Sequence, residues 1–342
     1  MNTNKKLNRL PLMCAALLLV AFRFSFAQSK TGTTVAQFLL IEPSARLAAM
    51  GNAGVAMYDE IAAAYFNPGA IAHQSGYGVQ FAHSQWLADI SYNYAAAALQ
   101  AGELGNIFLS VTSLSSGEID VRTVEHPLGT GERYTVSNLA LGLGFGKQIS
   151  DRFSVGVQLN YVQETIWHSS LSTFALNVGT VYRLSENGLR LGASISNFGL
   201  PAKYDGRDLR IIFDRDPSKY GDNSSIPGEV FTDNYPLPVL FRVGLTYPVR
   251  LSENNVVHVA MNAFHPSDNT ESMSVGAEWL LLKTLALRGG YQNLFLEDSE
   301  VGVTLGAGLQ FDLEDYGFCF DYAWADHGRL ENTQRFTLGF KF

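Results

Sequence analysis

The stretch 152–164, RFSVGVQLNYVQE, puts Phe153, Val155, Val157, Leu159 and Tyr161 on one side of an extended chain. Ser154, Gly156, Gln158 and Asn160 fall on the other. Side chains of a strand alternate between its two faces, so this is a strand with one apolar and one polar face. EVGVTLGAGLQF (300–311) and YGFCFDYAWA (316–325) alternate in the same way. So does RFTLGFKF (335–342), where Phe336, Leu338, Phe340 and Phe342 oppose Thr337, Gly339 and Lys341.

About fourteen such segments follow residue 77, starting near 78, 89, 104, 135, 152, 171, 188, 237, 255, 270, 284, 300, 316 and 332. Many approach the nine to eleven residues that a tilted membrane strand needs. The connections sort by parity. Those after even-numbered segments are short (QAGE, KQISD, LSEN, PVRLSENN, LLLK, DLED), whereas the longest, near 115–134 and 198–236, follow odd-numbered ones. A soluble two-sheet sandwich also alternates, but it has no reason to sort its loops by side. Short periplasmic turns and long external loops are the outer-membrane pattern. The expected fold is all-β: a transmembrane antiparallel β-barrel of about fourteen strands over 77–342.

Composition agrees. Only 16% of the residues are charged, against roughly 25% in soluble domains. A net charge of -8 without a cluster of Lys and Arg beyond the first residues argues against nucleic acid. Residues 1–27 read as a cleaved signal peptide: Lys5, Lys6 and Arg9, the apolar run PLMCAALLLVAF, then Ser25-Phe26-Ala27. Cys319 is then the one cysteine left, so no intrachain disulfide is expected. Localisation in the outer membrane of a Gram-negative bacterium follows, with outer-membrane lipid as the first partner.

Residues 28–76 do not alternate. SARLAAMGNAG reads as a short helix ended by Gly51, with Arg46 its one charge. DEIAAAYF reads as a second, capped by Asp59 with Glu60 in its first turn. In NPGAIAH, Asn67 reads as an N-cap and Pro68 as the first helical residue. Such a small Ala-rich segment has no core of its own. It is expected to pack in the lumen as a helical hatch, in the space left by the glycine-rich polar faces.

Catalytic signatures are missing. There is no Gly-x-Ser-x-Gly and no His-Glu-x-x-His. The spaced glycines of LGLGFGK (141–147) lie on a strand with no helix after it, which suits a small-residue lumen rather than a phosphate loop. Asp214, Asp216 and Asp222 in FDRDPSKYGDN lack the EF-hand spacing and its closing glutamate. No catalytic, cofactor or metal site is expected. Trp86 and Trp167 read as parts of an aromatic girdle. Phe295, between two leucines in NLFLED, reads as an exposed tip for partner contact, as does the acidic loop. Both long loops read as polar.

SARLAAMGNAGVAMYDEIAAAYFNPGAIA (44–72) resembles the N-terminal hatch of the PorV/PorQ family, whose barrel is similar to FadL-type channels. QFLLIEPSARLAAMG, HSQWLADISYNY, ISNFG and DPSKYGDNSSIPGEVFTDNYPLPVLFRVGLTY extend the resemblance over nearly the whole mature chain. The hatch motif here is Asn67-Pro68-Gly69-Ala70, with Gly69 and Ala70 exchanged relative to Asn-Pro-Ala-Gly. The resemblance implies that Phe342, with Phe340 and Leu338, forms the signal read by the barrel-assembly machinery. It also implies a non-enzymatic accessory or shuttle role in type IX secretion. The partners would be secreted cargo with C-terminal signal domains and other secretion components. The alternative is a FadL-like channel for hydrophobic small molecules.

Overall fold

The computed structural model describes residues 30–342 other than 222, 224, 297 and 298. The expected signal peptide and Asp222 lie outside the described residues. Fourteen antiparallel strands form a closed barrel: β1 (Tyr77–Gln85), β2 (Ser91–Gln100), β3 (Asn106–Asp120), β4 (Arg133–Ser150), β5 (Phe153–Ile166), β6 (Ser169–Arg183), β7 (Arg190–Gly199), β8 (Leu240–Ser252), β9 (Asn255–Pro266), β10 (Ser272–Leu281), β11 (Leu285–Leu294), β12 (Val303–Leu313), β13 (Tyr316–Asp326) and β14 (Asn332–Lys341). Each starts within a few residues of its sequence expectation.

β14 closes the barrel on β1, in register from Gly78–Lys341 to Gln85–Gln334. Phe342 extends the seam: its N–H donates to Tyr77 O at 2.8 Å and its carbonyl accepts from Tyr77 N at 2.9 Å. Closure leaves no unpaired strand edge in the hydrocarbon, where an orphan backbone group is costly. The alternation sets the facing. On β5, Ser154, Gly156, Gln158 and Asn160 are buried inward while Val157 and Leu159 stand outward. Outward rings gather at the strand ends, as in Tyr77 on Phe342 and the Phe311–Phe318–Phe340 cluster.

One end of the barrel carries tight turns at 151–152, 253–254, 282–284 and 314–315. The other carries the long connections at 121–132, 200–239 and 295–302. We call the second end external. The β5–β6 turn is an exception to the length rule, since only Trp167 and His168 separate those strands. There the strands themselves are long. β3 to β6 have 15, 18, 14 and 15 residues, more than a crossing requires, and stand proud of the external side.

Residues 35–76 run down through the lumen. At the external mouth, Val35 N donates to Pro236 O (3.1 Å) and Ala36 N to Glu164 Oε2 (2.9 Å). At the periplasmic end, Asn106 Nδ2 donates to Ile71 O (2.7 Å) and Gln74 O (2.6 Å). The core of the protein is therefore inside the barrel, where Phe38, Leu39, Ile61 and Ile71 meet the inward side chains Tyr92, Tyr94, Phe108 and Val162.

The facing assignment has a direct test. Leu159→Arg puts a charge on the lipid face near mid-strand and is expected to cost about 2–4 kcal/mol. Gln310→Arg, which points into a lumen cavity beside Asp312 and Asp321, is expected to cost much less. Equal losses in denaturant unfolding of the two variants in liposomes would mean the facing is wrong.

Candidate functional site

The hatch is held by charge pairs that cross between it and the wall. Ser44 caps a one-turn helix, Ala45–Ala48, by accepting from Leu47 N. This presents Arg46 to Glu278 of β10: Arg46 Nε donates to Oε2 (2.8 Å) and Nη2 to Oε1 (2.6 Å). Arg288 of β11 donates to the same Glu278 (2.7 Å) and to Asp321 of β13 (2.6 Å), and His258 of β9 hydrogen-bonds with Glu278 at 3.1 Å. His258 aside, these wall residues carry two carboxylates and one guanidinium, and Arg46 supplies the second cation. Two pairs run with the opposite polarity. Glu42 accepts from Arg242 of β8 (3.1 Å), and Asp59 accepts from Arg190 of β7 (3.1 Å). A buried charge without its partner is strongly destabilising, so hatch and wall complete each other.

Glycine allows the close approach. A Cβ at Gly156 would collide with Pro68 O, one at Gly179 with Asn67 Oδ1, and one at Gly276 with Met50 O. The inward glycines expected to leave room for a plug are thus in contact with its backbone. Asn67 is fully buried and uses its whole amide. Its Oδ1 accepts from Gly69 N (2.9 Å), and its Nδ2 donates to Val55 O (2.7 Å) and Thr180 O (2.8 Å). It caps the 3₁₀ turn Pro68–His73 and ties that turn to β6. Gly69 lies where a Cβ would be 2.9 Å from Thr180 Cα, which is a local reason for glycine at this motif position.

The second expected helix differs. DEIAAAYF is helical only over Ala63–Phe66, without a side-chain cap. Asp59 is drawn away to Arg190, and Glu60 accepts from Ser44 Oγ (2.7 Å) and Gln80 Nε2 (2.9 Å). Ion pairing inside the lumen outcompetes a cap on so short a helix.

The hatch divides the lumen. A cavity of about 220 Å³ opens at the periplasmic end around Arg46, Asp59, Gln80 and Asp321. Another of about 590 Å³ opens at the external mouth, with Phe38, Ile41 and Ala48 of the hatch on its wall. Arg46 and Ala48 belong to the same helical turn, so that turn is the partition, and the hatch residues Ala45, Ala49, Met50 and Ala53 are fully buried.

The expected contact residues are scattered. Phe295 is 82% exposed in the β11–β12 loop, with a left-handed backbone (φ 68°). Asp214 and Asp216 fold their own loop: Asp214 Oδ1 accepts from Asp216 N (3.0 Å), and Asp216 accepts from Ser218 Oγ (2.6 Å) and pairs with Lys219 (3.1 Å). The hydrogen bonds from Ser218 and Lys219 hold the Asp216 carboxyl below its usual range. No metal cluster occurs among the described residues. Phe340 and Leu338 face outward on β14.

Two expectations need correction. Trp86 is not in a girdle. It turns over the external mouth, with its ring 5.5 Å from that of His327. Trp167 packs on Tyr134 and His168 at the tip of the β5–β6 hairpin. Nor is the long loop 200–239 simply polar. It contains a two-stranded ribbon, Arg210–Phe213 with Ile226–Glu229, that leaves Ile212, Phe213 and the adjacent Phe231 exposed. Glu278, Arg288, Asp321, Arg242 and Arg190 escaped the sequence reading. Their signal is a charge at an inward position of an alternating strand, where nothing but a buried partner can hold it.

Arg46→Gln removes the hatch's cation from Glu278 and is expected to cost about 3–5 kcal/mol. In planar bilayers, wild type should be nearly silent and the variant should conduct. A variant as stable and as silent as wild type would show that the pair does not hold the hatch.

Comparison with known proteins agrees with this geometry. No curated protein matches the chain by sequence. Solved structures match its fold at low identity. The Pseudomonas putida toluene transporter TodX aligns at 14% identity with a TM-score of 0.55, covering 88% of this chain and 97% of that one. A Pseudomonas aeruginosa FadL homologue aligns at 10% with a TM-score of 0.52, covering 92% and 99%. The Ralstonia pickettii toluene transporter TbuX aligns at 12% with a TM-score of 0.51, covering 87% and 97%. These likenesses concern the fold: an outer-membrane barrel of the FadL type. Residues 24–210, more than half of the chain, match the family described as Type IX secretion system protein PorV. The chain belongs to the PorV family.

Proposed function

We propose that this barrel is an accessory or shuttle component of type IX protein secretion that contacts cargo on its external side. The observation that carries this reading is the ion-paired hatch, since a lumen blocked by a segment with two buried charge pairs, Arg46–Glu278 and Glu42–Arg242, and a more exposed third, Asp59–Arg190, directs function to the loops. Family membership supports it. So does the exposed apolar ribbon of loop 200–239, because a patch of Ile212, Phe213 and Phe231 beyond the barrel suits a protein partner. Secreted cargo with C-terminal signal domains is the partner class, and Phe295 lies on the same external side.

A second reading, a channel for hydrophobic small molecules, is favoured by one observation: the cavity of about 590 Å³ at the external mouth has an apolar floor. The two readings separate at the ribbon. Val230 N donates to Leu209 O (2.8 Å), so the ends of segment 210–230 are adjacent and a short Gly-Ser linker can replace it. Ala202 and Leu237, buried in the loop's stem, are left in place. The shortened protein should stay folded and heat-resistant on a gel while surface attachment of type IX cargo falls several-fold. Unchanged cargo attachment with reduced uptake of an apolar solute would favour the channel.

A further inference from the structure

The ribbon of loop 200–239 pairs Arg210–Phe213 with Ile226–Glu229, in register from Phe213–Ile226 to Arg210–Glu229. Its two strands do not offer the same outer edge. In an antiparallel ladder, hydrogen-bonded and non-hydrogen-bonded residue pairs alternate. Val230 N donates to Leu209 O at 2.8 Å, so Leu209–Val230 is a hydrogen-bonded pair. Ile211–Gly228 and Phe213–Ile226, each two residues further on, are then of the same kind. Ile212–Pro227 is of the other kind, as it must be, since Pro227 has no N–H to give. The N–H and C=O of Ile212 therefore point away from the second strand. So does the C=O of Arg210, whose N–H donates to Arg207 O.

The second strand turns Pro227 outward at this level, so its outer edge lacks a donor where a further strand would need one. The first strand has no such block. Among the described residues its outer edge pairs with no other strand, and all four of its residues are exposed. Ile211 and Phe213 stand on one face and Ile212 on the other, Ile212 with 77% exposure. Barrel strands remove their own edges by closure, whereas this apolar edge is left open beyond the membrane. An unpaired, apolar strand edge is a template for one more strand.

We infer that the outer edge of Arg210–Phe213 takes up an extended strand of the cargo's C-terminal signal domain, making the ribbon three-stranded. The incoming backbone accepts from Ile212 N–H and donates to the carbonyls of Ile212 and Arg210. Its apolar side chains lie beside Ile211 and Phe213 on one face and Ile212 on the other. Main-chain hydrogen bonds supply affinity with few demands on side chains, so one edge can receive cargo strands of different sequence. Such pairing rests on the cargo reading above and specifies the atoms that make the contact.

The test uses the full-length protein in lipid nanodiscs, with the purified C-terminal signal domain of a secreted type IX cargo protein as probe. Ile212→Pro removes the outward N–H and sets a ring on the edge, and Pro227 shows that the ribbon tolerates a proline at this level. It should weaken binding about tenfold or more, as replacing 210–230 does. Ile212→Thr, which keeps the N–H and a β-branched side chain, should bind nearly as wild type does. Bound domain should slow hydrogen exchange at the Ile212 amide. If the linker variant loses binding while Ile212→Pro keeps it, or if that amide exchanges as fast in the complex as alone, the inference is overturned and the cargo reading stands. If neither variant loses binding, both are overturned. Dimerisation of the protein alone that Ile212→Pro abolishes, with domain binding unchanged, gives the edge to a second copy and also overturns the inference.

Discussion

The pairing of Arg46 with Glu278 is the contact on which the lumen depends. It joins a four-residue helical turn to the opposite wall and supplies the cation that two wall carboxylates lack. Glu42–Arg242 and Asp59–Arg190 repeat the arrangement with reversed polarity. The wall without the hatch has unpaired charges, and the hatch without the wall has no core. Each half makes the other tolerable, so a segment too short and too Ala-rich to fold alone is ordered inside the barrel.

The glycines are the geometric side of the same constraint. Gly156, Gly179 and Gly276 bring the wall backbone against Pro68, Asn67 and Met50. Side chains there would push the hatch out of reach of its ion pairs. The external end is looser. The N-terminal segment enters beside Pro236 and Glu164 and leaves a cavity under Trp86, and loop 200–239 rises beyond it. Features able to meet a ligand or a partner are thus concentrated on the external side of the partition.

Much of the barrel was legible in the sequence because period-two alternation is local. Phe153 to Tyr161 need no distant information to show their faces, and loop lengths give the orientation. The Asn67 cap was legible for the same reason, since its acceptor and donor are two residues apart. The ion pairs were not. Arg46 and Glu278 are 232 residues apart, and Asp59 looked like a helix cap because its true partner, Arg190, is 131 residues away. The cavity is built from segments far apart in the chain, from Phe38 to Arg335, and Trp86 was misread because a tryptophan at a strand end faces lipid or lumen with the same local sequence. The apolar ribbon was hidden by the aspartates around it, which spend their polarity on their own turn.

The central claim is that the hatch stays in place while the protein works. Ala45 N donates to Thr337 Oγ1 at 3.0 Å, so these residues are neighbours across the hatch–wall boundary. With Cys319 replaced by alanine, an Ala45→Cys, Thr337→Cys disulfide would lock the two together. The account predicts that the locked protein supports cargo attachment at the cell surface as well as its reduced form does. Loss of attachment on oxidation, recovered with a reductant, would contradict it and require a hatch that moves.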